Sequence, residues 1–280
     1  MNKEILTHLI DLAIAEDIGD GDHSTLSCIP EDAAGKMQLL VKESGIIAGV
    51  EVAELVFKRI DPFTKFEILI KDGTAVKPGD VAFYVKGKVH SLLKSERLVL
   101  NIMQRMSGIA TQARAYADKL AGLKTKVLDT RKTSPGMRVL EKEAVRIGGG
   151  CNHRMGLYDM IMLKDNHVDF AGGISQAIQS AKTYIKNESK DLDIEIEVRN
   201  FEELQQVLSV GGVKRIMLDN FNIENTRRAV EMISGRFETE SSGNINLNTV
   251  RDYAECGVDY VSVGALTHHI KSMDLSLKAI

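Results

Sequence analysis

Cysteine is scarce in this 280-residue chain: Cys28, Cys151 and Cys256 lie far apart, and no CxxC pair occurs. That argues against a disulfide framework and against a thiolate zinc site. Cys151 stands two residues before His153, yet no acyl-transfer motif accompanies it, so a nucleophilic thiol is not indicated. Long apolar runs are missing as well; none approaches the roughly 18 residues that span a bilayer. Nor is the chain basic. Its formal charge is -3, whereas a nucleic-acid module presents a basic face on a basic domain. The opening MNKEILTHLIDLAIAEDIGDGD carries acids where a secretory peptide would have its cleavage site. It reads as an amphipathic helix, and the protein as cytoplasmic.

What the chain does have is a concentration of cations. Leu128 to His167 carries Arg131, Lys132, Arg138, Lys142, Arg146, His153, Arg154, Lys164 and His167 within forty positions. The opposing acids are few, mainly Asp129, Glu141, Glu143, Asp159 and Asp165. In a chain of negative net charge, that clustering suits a small, strongly anionic substrate held in a pocket.

Two rhythms divide the sequence. Residues 1 to about 90 read as mixed α+β, with strand-like Met37–Lys42 and Phe66–Ile70 flanking helix-like Val50–Arg59. From Leu92 to Leu120 apolar residues recur at helical spacing, with Ser107-Gly108 expected to break the run into two helices. Thereafter short apolar strands alternate with helical stretches: Lys126–Leu128, Met160–Leu163, Ile194–Val198, Arg215–Leu218, Phe237–Glu240 and Tyr260–Val263. Alternation of this kind predicts parallel βα units. An open doubly wound sheet would place its site at one switch point, but here all six strand ends are chemically equipped, the habit of a TIM-type barrel. Six strands are too few to close one. The predicted architecture is an N-terminal α+β sandwich domain (residues 1–107) followed by an incomplete TIM-like α/β barrel (residues 108–269). The tail, 270–280, is expected to return to the first domain.

The strand ends carry the candidate chemistry. Arg131 and Lys132 in Asp129–Gly136 offer a planar fork and a compact charge to different parts of one anion. Gly148-Gly149-Gly150 before His153-Arg154 has the composition of a backbone anion cradle and equally of a flexible loop. Lys164 ends a buried-looking strand, where a lysine calls for an anionic partner, and His167 either joins it or orients the loop. Glu195 and Glu197 share one strand face, and with Asp219 they suit Mg²⁺ beside substrate phosphates or simply balance the basic cluster. Glu240–Asn244 and Ser262–Ala265, after the last two strands, fit a phosphate site built from backbone N–H groups.

The motifs DTRKTSPGMR, GGGCNHRMGL, IMLKDNH, EIEV, IMLDN, ESSGN and VSVGALTH, in this order, resemble the quinolinate phosphoribosyltransferase family. EDIGDGDHST and SERLVLNIMQRMSGIAT extend the resemblance over nearly the whole chain. Two departures are small: His23-Ser24 replaces a hydrophobic-Thr pair, and His269 stands where Ser is usual. The resemblance implies transfer of a phosphoribosyl group from phosphoribosyl pyrophosphate to quinolinate, with loss of CO₂ and with Mg²⁺ as cofactor. It also implies a homodimer with shared active sites, leaving higher oligomers open. Quinolinate-binding positions then fall on Arg131, His153, Arg154 and Lys164, with Arg97 supplied by the partner subunit. Lys132, Glu197 and Asp219 match positions serving donor and metal, while Ser242, Gly243 and Gly264 match the phosphate loops. Lys132, Lys164, Glu197 and Asp219 form the implied catalytic set, with either lysine open as the proton donor after CO₂ loss. Two other readings remain: a related pyrophosphorylase-like protein acting on another ligand, and a non-catalytic sensor that keeps the pocket.

Overall fold

A computed structural model describes residues 2–280. The chain opens with α1 (Lys3–Ile18), α2 (His23–Cys28), β1 (Ala34–Val41), β2 (Gly45–Ile46), α3 (Val50–Ile60), β3 (Lys65–Ile68), β4 (Ala75–Val76), β5 (Val81–Lys88) and α4 (Val89–Lys119). It continues with β6 (Lys126–Leu128), α5 (Arg138–Ile147), β7 (Ile161–Leu163), α6 (Asp165–Ala171), α7 (Ile174–Asn187), β8 (Ile194–Val198), α8 (Phe201–Val210) and β9 (Arg215–Asp219). Last come α9 (Ile223–Ile233), β10 (Glu238–Ser242), α10 (Val250–Glu255), β11 (Tyr260–Ser262), α11 (Ala265–His268) and β12 (Leu275–Ala279). Two discontinuous units result. One comprises residues up to Arg114, Thr133–Gly149 and Leu266–Ile280; the other comprises Ala115–Lys132 and Gly150–Ala265.

The first unit is built on an antiparallel sheet in the order β12-β1-β5-β3. Val50, Ala53, Val56 and Phe57 give α3 an apolar stripe at helical spacing, all of it buried. Phe57 meets Phe66 and Phe83 of the sheet at ring-centroid distances of 5.9 and 6.3 Å. The cut expected near residue 107 falls inside α4, which runs unbroken where Ser107-Gly108 was expected to interrupt it. That pair serves a close approach instead. A Cβ on Gly108 would lie 2.2 Å from the Lys271 carbonyl oxygen. The Ser107 hydroxyl accepts the Ala48 amide at 2.9 Å and donates to the Ala48 carbonyl at 3.1 Å. A mid-helix glycine costs roughly 1 kcal/mol, which packing at this crossing outweighs.

The second unit holds a parallel six-stranded sheet in the order β6-β11-β10-β9-β8-β7. Neighbours are consecutive except that β6, the first strand, lies beside β11, the last. That pairing is the closing step of a barrel, and the wall stays open between β6 and β7. Beside β6 there is one further parallel bridge, Leu128 to Cys151, with the Cys151 amide donating to Val127 at 2.8 Å. A one-residue bridge has no periodicity, so the sequence shows six strands and not this stub.

Alternation sorts the strand residues into two faces. Leu163, Ile194, Ile196, Val198, Ile216 and Leu218 pack outward into a core completed by Ile178, Leu204, Val207, Ala229 and Ile233 from the helices. The opposite face carries Glu195 and Glu197, then Arg215, Met217 and Asp219, then Glu238, Glu240 and Ser242. The barrel interior is therefore ionic, and hydrophobic burial is left to the outer layer.

Asp259 locks the entry to β11. Its carboxylate accepts the Thr239 amide at 2.9 Å and the Thr239 hydroxyl at 2.8 Å, and Lys124 lies 3.1 Å away. Partial burial opposes the charge, but Thr239 and Lys124 outweigh it and lower the pKa. A depressed carboxyl contributes stability present above its unfolded pKa and lost as pH falls through the folded value. Below about pH 4 the wild-type melting temperature should therefore fall more steeply than that of Asp259→Asn. Parallel melting curves for the two proteins between neutral and acid pH would contradict the lock. Among the described residues, no helix is long and apolar enough to cross a membrane.

Candidate active site

At the C-terminal ends of the barrel strands lies a cavity of about 320 Å³, with Arg131, Lys132, Arg154 and Lys164 in its walls and His153 and Ser242 among its other lining residues. A larger cavity, about 590 Å³, opens at the opposite strand ends. There Lys124 pairs with Asp259 at 3.1 Å and Lys214 with Asp193 at 2.5 Å, so its lysines are already neutralised. Only the smaller cavity collects strand-end cations around a shared space.

Local chemistry places each of them. Arg131 and Lys132 follow β6 directly, in a turn where the Thr130 hydroxyl accepts the Lys132 amide at 3.1 Å. Asp129, fully buried, accepts the His153 amide at 2.8 Å and so ties the β6 loop to the segment after the Cys151 stub. The next turn is held by Asp159, which accepts the Met155 and Gly156 amides at 2.7 and 2.9 Å. Arg154 is buried, with Nη1 donating to the Met160 carbonyl at 3.2 Å. At the end of β7 the Lys164 amide donates to His167 Nδ1 at 3.0 Å, which starts α6 and gives His167 the orienting role.

Cations dominate the wall of the cavity. Burial lowers the Arg154 pKa, and the neighbouring Arg131 charge lowers it further. Like charges crowded in a partly buried site are relieved by an anion between them. Lys164 Nζ is 3.3 Å from Glu197 Oε2. The lysine is half-exposed at the rim rather than buried, because β7 ends one residue earlier. Burial pushes the Glu197 carboxyl up; Lys164 opposes this, while Asp219 and Asp165 add to it. Glu197 and Asp219 are thus two hard oxygen donors close enough to feel each other, a set that fits a Mg²⁺ ion keeping several waters.

Beneath this rim lies a buried ionic cluster. His153 Nε2 is 3.0 Å from Glu195 Oε2 and 3.5 Å from Glu240 Oε2. Arg215 lies 3.0 Å from Glu240, 3.0 Å from Glu238 and 3.7 Å from Glu195, and its guanidinium sits 4.0 Å over the Tyr260 ring. Burial disfavours a charged His153, but Glu195 and Glu240 outweigh it and raise its pKa to about 9. On the other side of the ring the Arg154 amide lies 2.6 Å from Nδ1. Burial raises the Glu195 carboxyl, and Glu240 raises it further. Glu240 itself is held down: burial works against its charge, and His153, Arg215 and the Ser262 hydroxyl prevail.

The small-residue loops pack tightly. The Asn220 amide donates to the Ser242 carbonyl at 2.9 Å, and Asn220 Nδ2 donates to Asp219 at 2.8 Å. Gly243, at φ +101°, has no room for a Cβ, which would meet Asn220 Oδ1 at 2.1 Å. Gly264 follows Val263, whose amide donates to the Leu128 carbonyl at 2.9 Å.

A family model described as the quinolinate phosphoribosyl transferase N-terminal domain matches residues 22–107, and its C-terminal counterpart matches residues 109–278. The chain belongs to the quinolinate phosphoribosyltransferase family. It is 46% identical to quinolinate phosphoribosyltransferase [decarboxylating] 1b of Nicotiana tabacum, over 98% of this chain and 82% of the relative. A probable nicotinate-nucleotide pyrophosphorylase [carboxylating] from Synechocystis is 40% identical, over 95% and 90%. The crystal structure of NadC from Streptococcus pyogenes superposes with a TM-score of 0.93 at 38% identity, covering 100% of this chain and 99% of that one.

Of the positions that resemblance to the quinolinate phosphoribosyltransferases implies, the second unit brings Arg131, Lys132, His153, Arg154, Lys164 and Ser242 around one cavity. Glu197 joins them through Lys164, and Asp219 and Gly243 meet at Asn220. Arg97 lies on α4 of the first unit and is exposed. Sequence reasoning missed Arg215, and it read Glu240 as the start of a phosphate loop where the side chain belongs to the buried ionic cluster. The available signal was a charged residue at alternate positions of otherwise apolar strands, which marks a polar barrel interior. It also missed how Thr133–Gly136 is anchored. In the first unit Arg105 donates to the fully buried Glu141 at 2.8 Å and to the Ser134 hydroxyl at 2.9 Å.

Proposed function

We propose that this chain catalyses phosphoribosyl transfer from 5-phosphoribosyl 1-pyrophosphate to quinolinate, yielding nicotinate mononucleotide, pyrophosphate and CO₂ in de novo NAD biosynthesis. The observation that carries it is the pair of guanidiniums, Arg131 and Arg154, lining one small strand-end cavity, where burial and then the Arg131 charge lower the Arg154 pKa. A dicarboxylate satisfies both. The two curated relatives carry names for this activity.

Each residue then has a task. Arg131 and Arg154 hold the two carboxylates, Lys164 adds charge at the rim, and Lys132 faces the donor. Ser242, Gly243 and Gly264 receive its phosphate through backbone N–H groups. Glu197 and Asp219 would hold Mg²⁺, which supplies charge neutralisation to the departing pyrophosphate. The bond from ribose C1 to pyrophosphate oxygen breaks as the bond to the ring nitrogen forms, through an oxocarbenium-like transition state. Catalysis is therefore mainly positioning and electrostatics. The alkylated ring, now positively charged, takes up the electron pair of the carbon–carboxylate bond as CO₂ leaves, and a proton replaces it.

The reading includes a homodimer in which the partner subunit supplies Arg97. Support comes from the exposure of Arg97 and of large apolar residues after the Cys151 stub and on α6: Leu157 at 73%, Tyr158 at 69% and Phe170 at 92%. Arg97→Ala and Lys164→Ala, each inactive alone, should regain roughly a quarter of wild-type activity when mixed, since half the dimers would carry one intact site. Absence of complementation after verified subunit exchange would refute the shared site. We place the protein in the cytoplasm on this reading, because both substrates are multiply charged and do not cross a bilayer unaided.

The decisive assay is release of labelled CO₂ from carboxyl-labelled quinolinate, with donor and Mg²⁺ and with each omitted. Release dependent on both is expected. No release from folded protein that still binds quinolinate overturns the reading, and a preference for nicotinate or phthalate points to another acceptor.

A further inference from the structure

The cavity of about 590 Å³ at the N-terminal strand ends takes no part in the function proposed above, although its size is ordinary for a small-molecule site. Val213, Val230 and Phe237 give it apolar lining. Most of the charge around it is spent. Lys124 faces Asp259 at 3.1 Å and Lys214 faces Asp193 at 2.5 Å, so a second polyanion would find no pair of free cations there. Two groups remain. Arg236 gives Nε to the Ile233 carbonyl at 3.2 Å and Nη2 to the Met232 carbonyl at 3.1 Å. Those bonds hold its guanidinium at the end of α9, with no carboxylate partner among the described residues. Glu238 receives Arg215 Nε and Nη2 on a single oxygen, Oε2, at 3.1 and 3.0 Å. Its Oε1 accepts no hydrogen bond among the described residues.

A held cation and an unspent carboxylate oxygen, two residues apart in the chain, complement a ligand that carries both charges. The apolar lining calls for an apolar body on the same molecule. We propose that this cavity is a second small-molecule site, and that its ligand is a zwitterionic amino acid with an apolar side chain. The carboxylate meets the planar Arg236 guanidinium, and the ammonium meets Glu238 Oε1. The side chain covers Val213, Val230 and Phe237. None of the residues lining this site lines the strand-end cavity, so the inference goes beyond the proposed phosphoribosyl transfer. One side chain joins the site to the barrel interior: Arg215, held by Glu238 on this side, also lies 3.0 Å from Glu240.

L-Phenylalanine is the probe, beside 3-phenylpropionate, which lacks the ammonium, and phenethylamine, which lacks the carboxylate. Ligand-observed NMR titration of the full-length protein should show saturable L-phenylalanine binding with a dissociation constant on the order of millimolar, ordinary for so small a ligand. Each truncated analogue should bind roughly tenfold more weakly, the scale of one lost charged contact. Arg236→Ala should weaken L-phenylalanine by a similar factor and leave phenethylamine unchanged. Glu238→Gln should weaken L-phenylalanine and leave 3-phenylpropionate unchanged. Arg131→Ala, altered only in the strand-end cavity, should bind the probe as wild type does. Absence of saturable L-phenylalanine binding overturns the proposal, and so do analogues that bind as tightly as the amino acid. Loss of binding in Arg131→Ala also overturns it, because the probe would then occupy the strand-end cavity. The analogue series uses the wild-type protein alone, so it decides the matter even if a variant fails to fold.

Discussion

Arg215→Leu should lose about 3–5 kcal/mol of folding stability, the scale for stranding a buried charge. The guanidinium is 10% exposed and serves three carboxylates, of which Glu240 and Glu195 have no exposure at all. Removing it leaves the Glu240 charge in the barrel interior with the His153 ring and the Ser262 hydroxyl but no guanidinium. Leucine fills much of the volume, so the loss reports electrostatics more than a cavity. Urea denaturation of wild type and variant measures it directly, through the shift of midpoint at constant slope. The double variant Arg215→Leu/Glu240→Leu should recover most of the loss, because a buried pair replaced by apolar groups is close to neutral. An Arg215→Leu protein within about 1 kcal/mol of wild type, the worth of a surface ion pair, would show that the cluster is solvated and not a buried network.

Arg131→Ala should weaken quinolinate by about 2–5 kcal/mol, or roughly 30-fold to several thousand-fold in dissociation constant. The magnitude follows from leaving one substrate carboxylate desolvated with no cation. Arg154, buried and held by Met160, stays behind and still meets the other carboxylate. The loss should therefore be selective: quinolinate, with two carboxylates, suffers more than nicotinate, with one, and discrimination between them narrows. Calorimetric titration with both ligands gives the comparison. Undiminished quinolinate affinity removes Arg131 from the site; equal weakening of both ligands makes it a general structural support.

The strand-end cations were legible because several short, mainly apolar strands stop at a charged residue. Lys164 after Ile161–Leu163 is one such stop, and Asp219 after Arg215–Leu218 is another. The inner ionic layer was harder to see. Glu195 and Glu197 declare a shared face by alternation, but which partner each meets depends on register across strands far apart in sequence. Arg215 lies opposite Glu195 on one side and Glu238 on the other, and no local pattern carries that pairing. Gly108 misled for a related reason. A helix-weakening residue is identical in sequence whether it ends a helix or lets another segment cross it, and the Lys271 carbonyl that decides the matter lies 163 positions away.

The pairing of β1 with β12, and of β6 with β11, bears on how the polypeptide is made. Both sheets recruit an early strand to a late one, so neither is complete until the last few turns of synthesis have left the ribosome. Until then β1 and β6 each expose a ladder of unsatisfied amides and carbonyls, the kind of edge that recruits other chains. A nascent chain halted near residue 260 would thus be two unfinished sheets rather than one finished unit and one missing, and a natural client for holding chaperones.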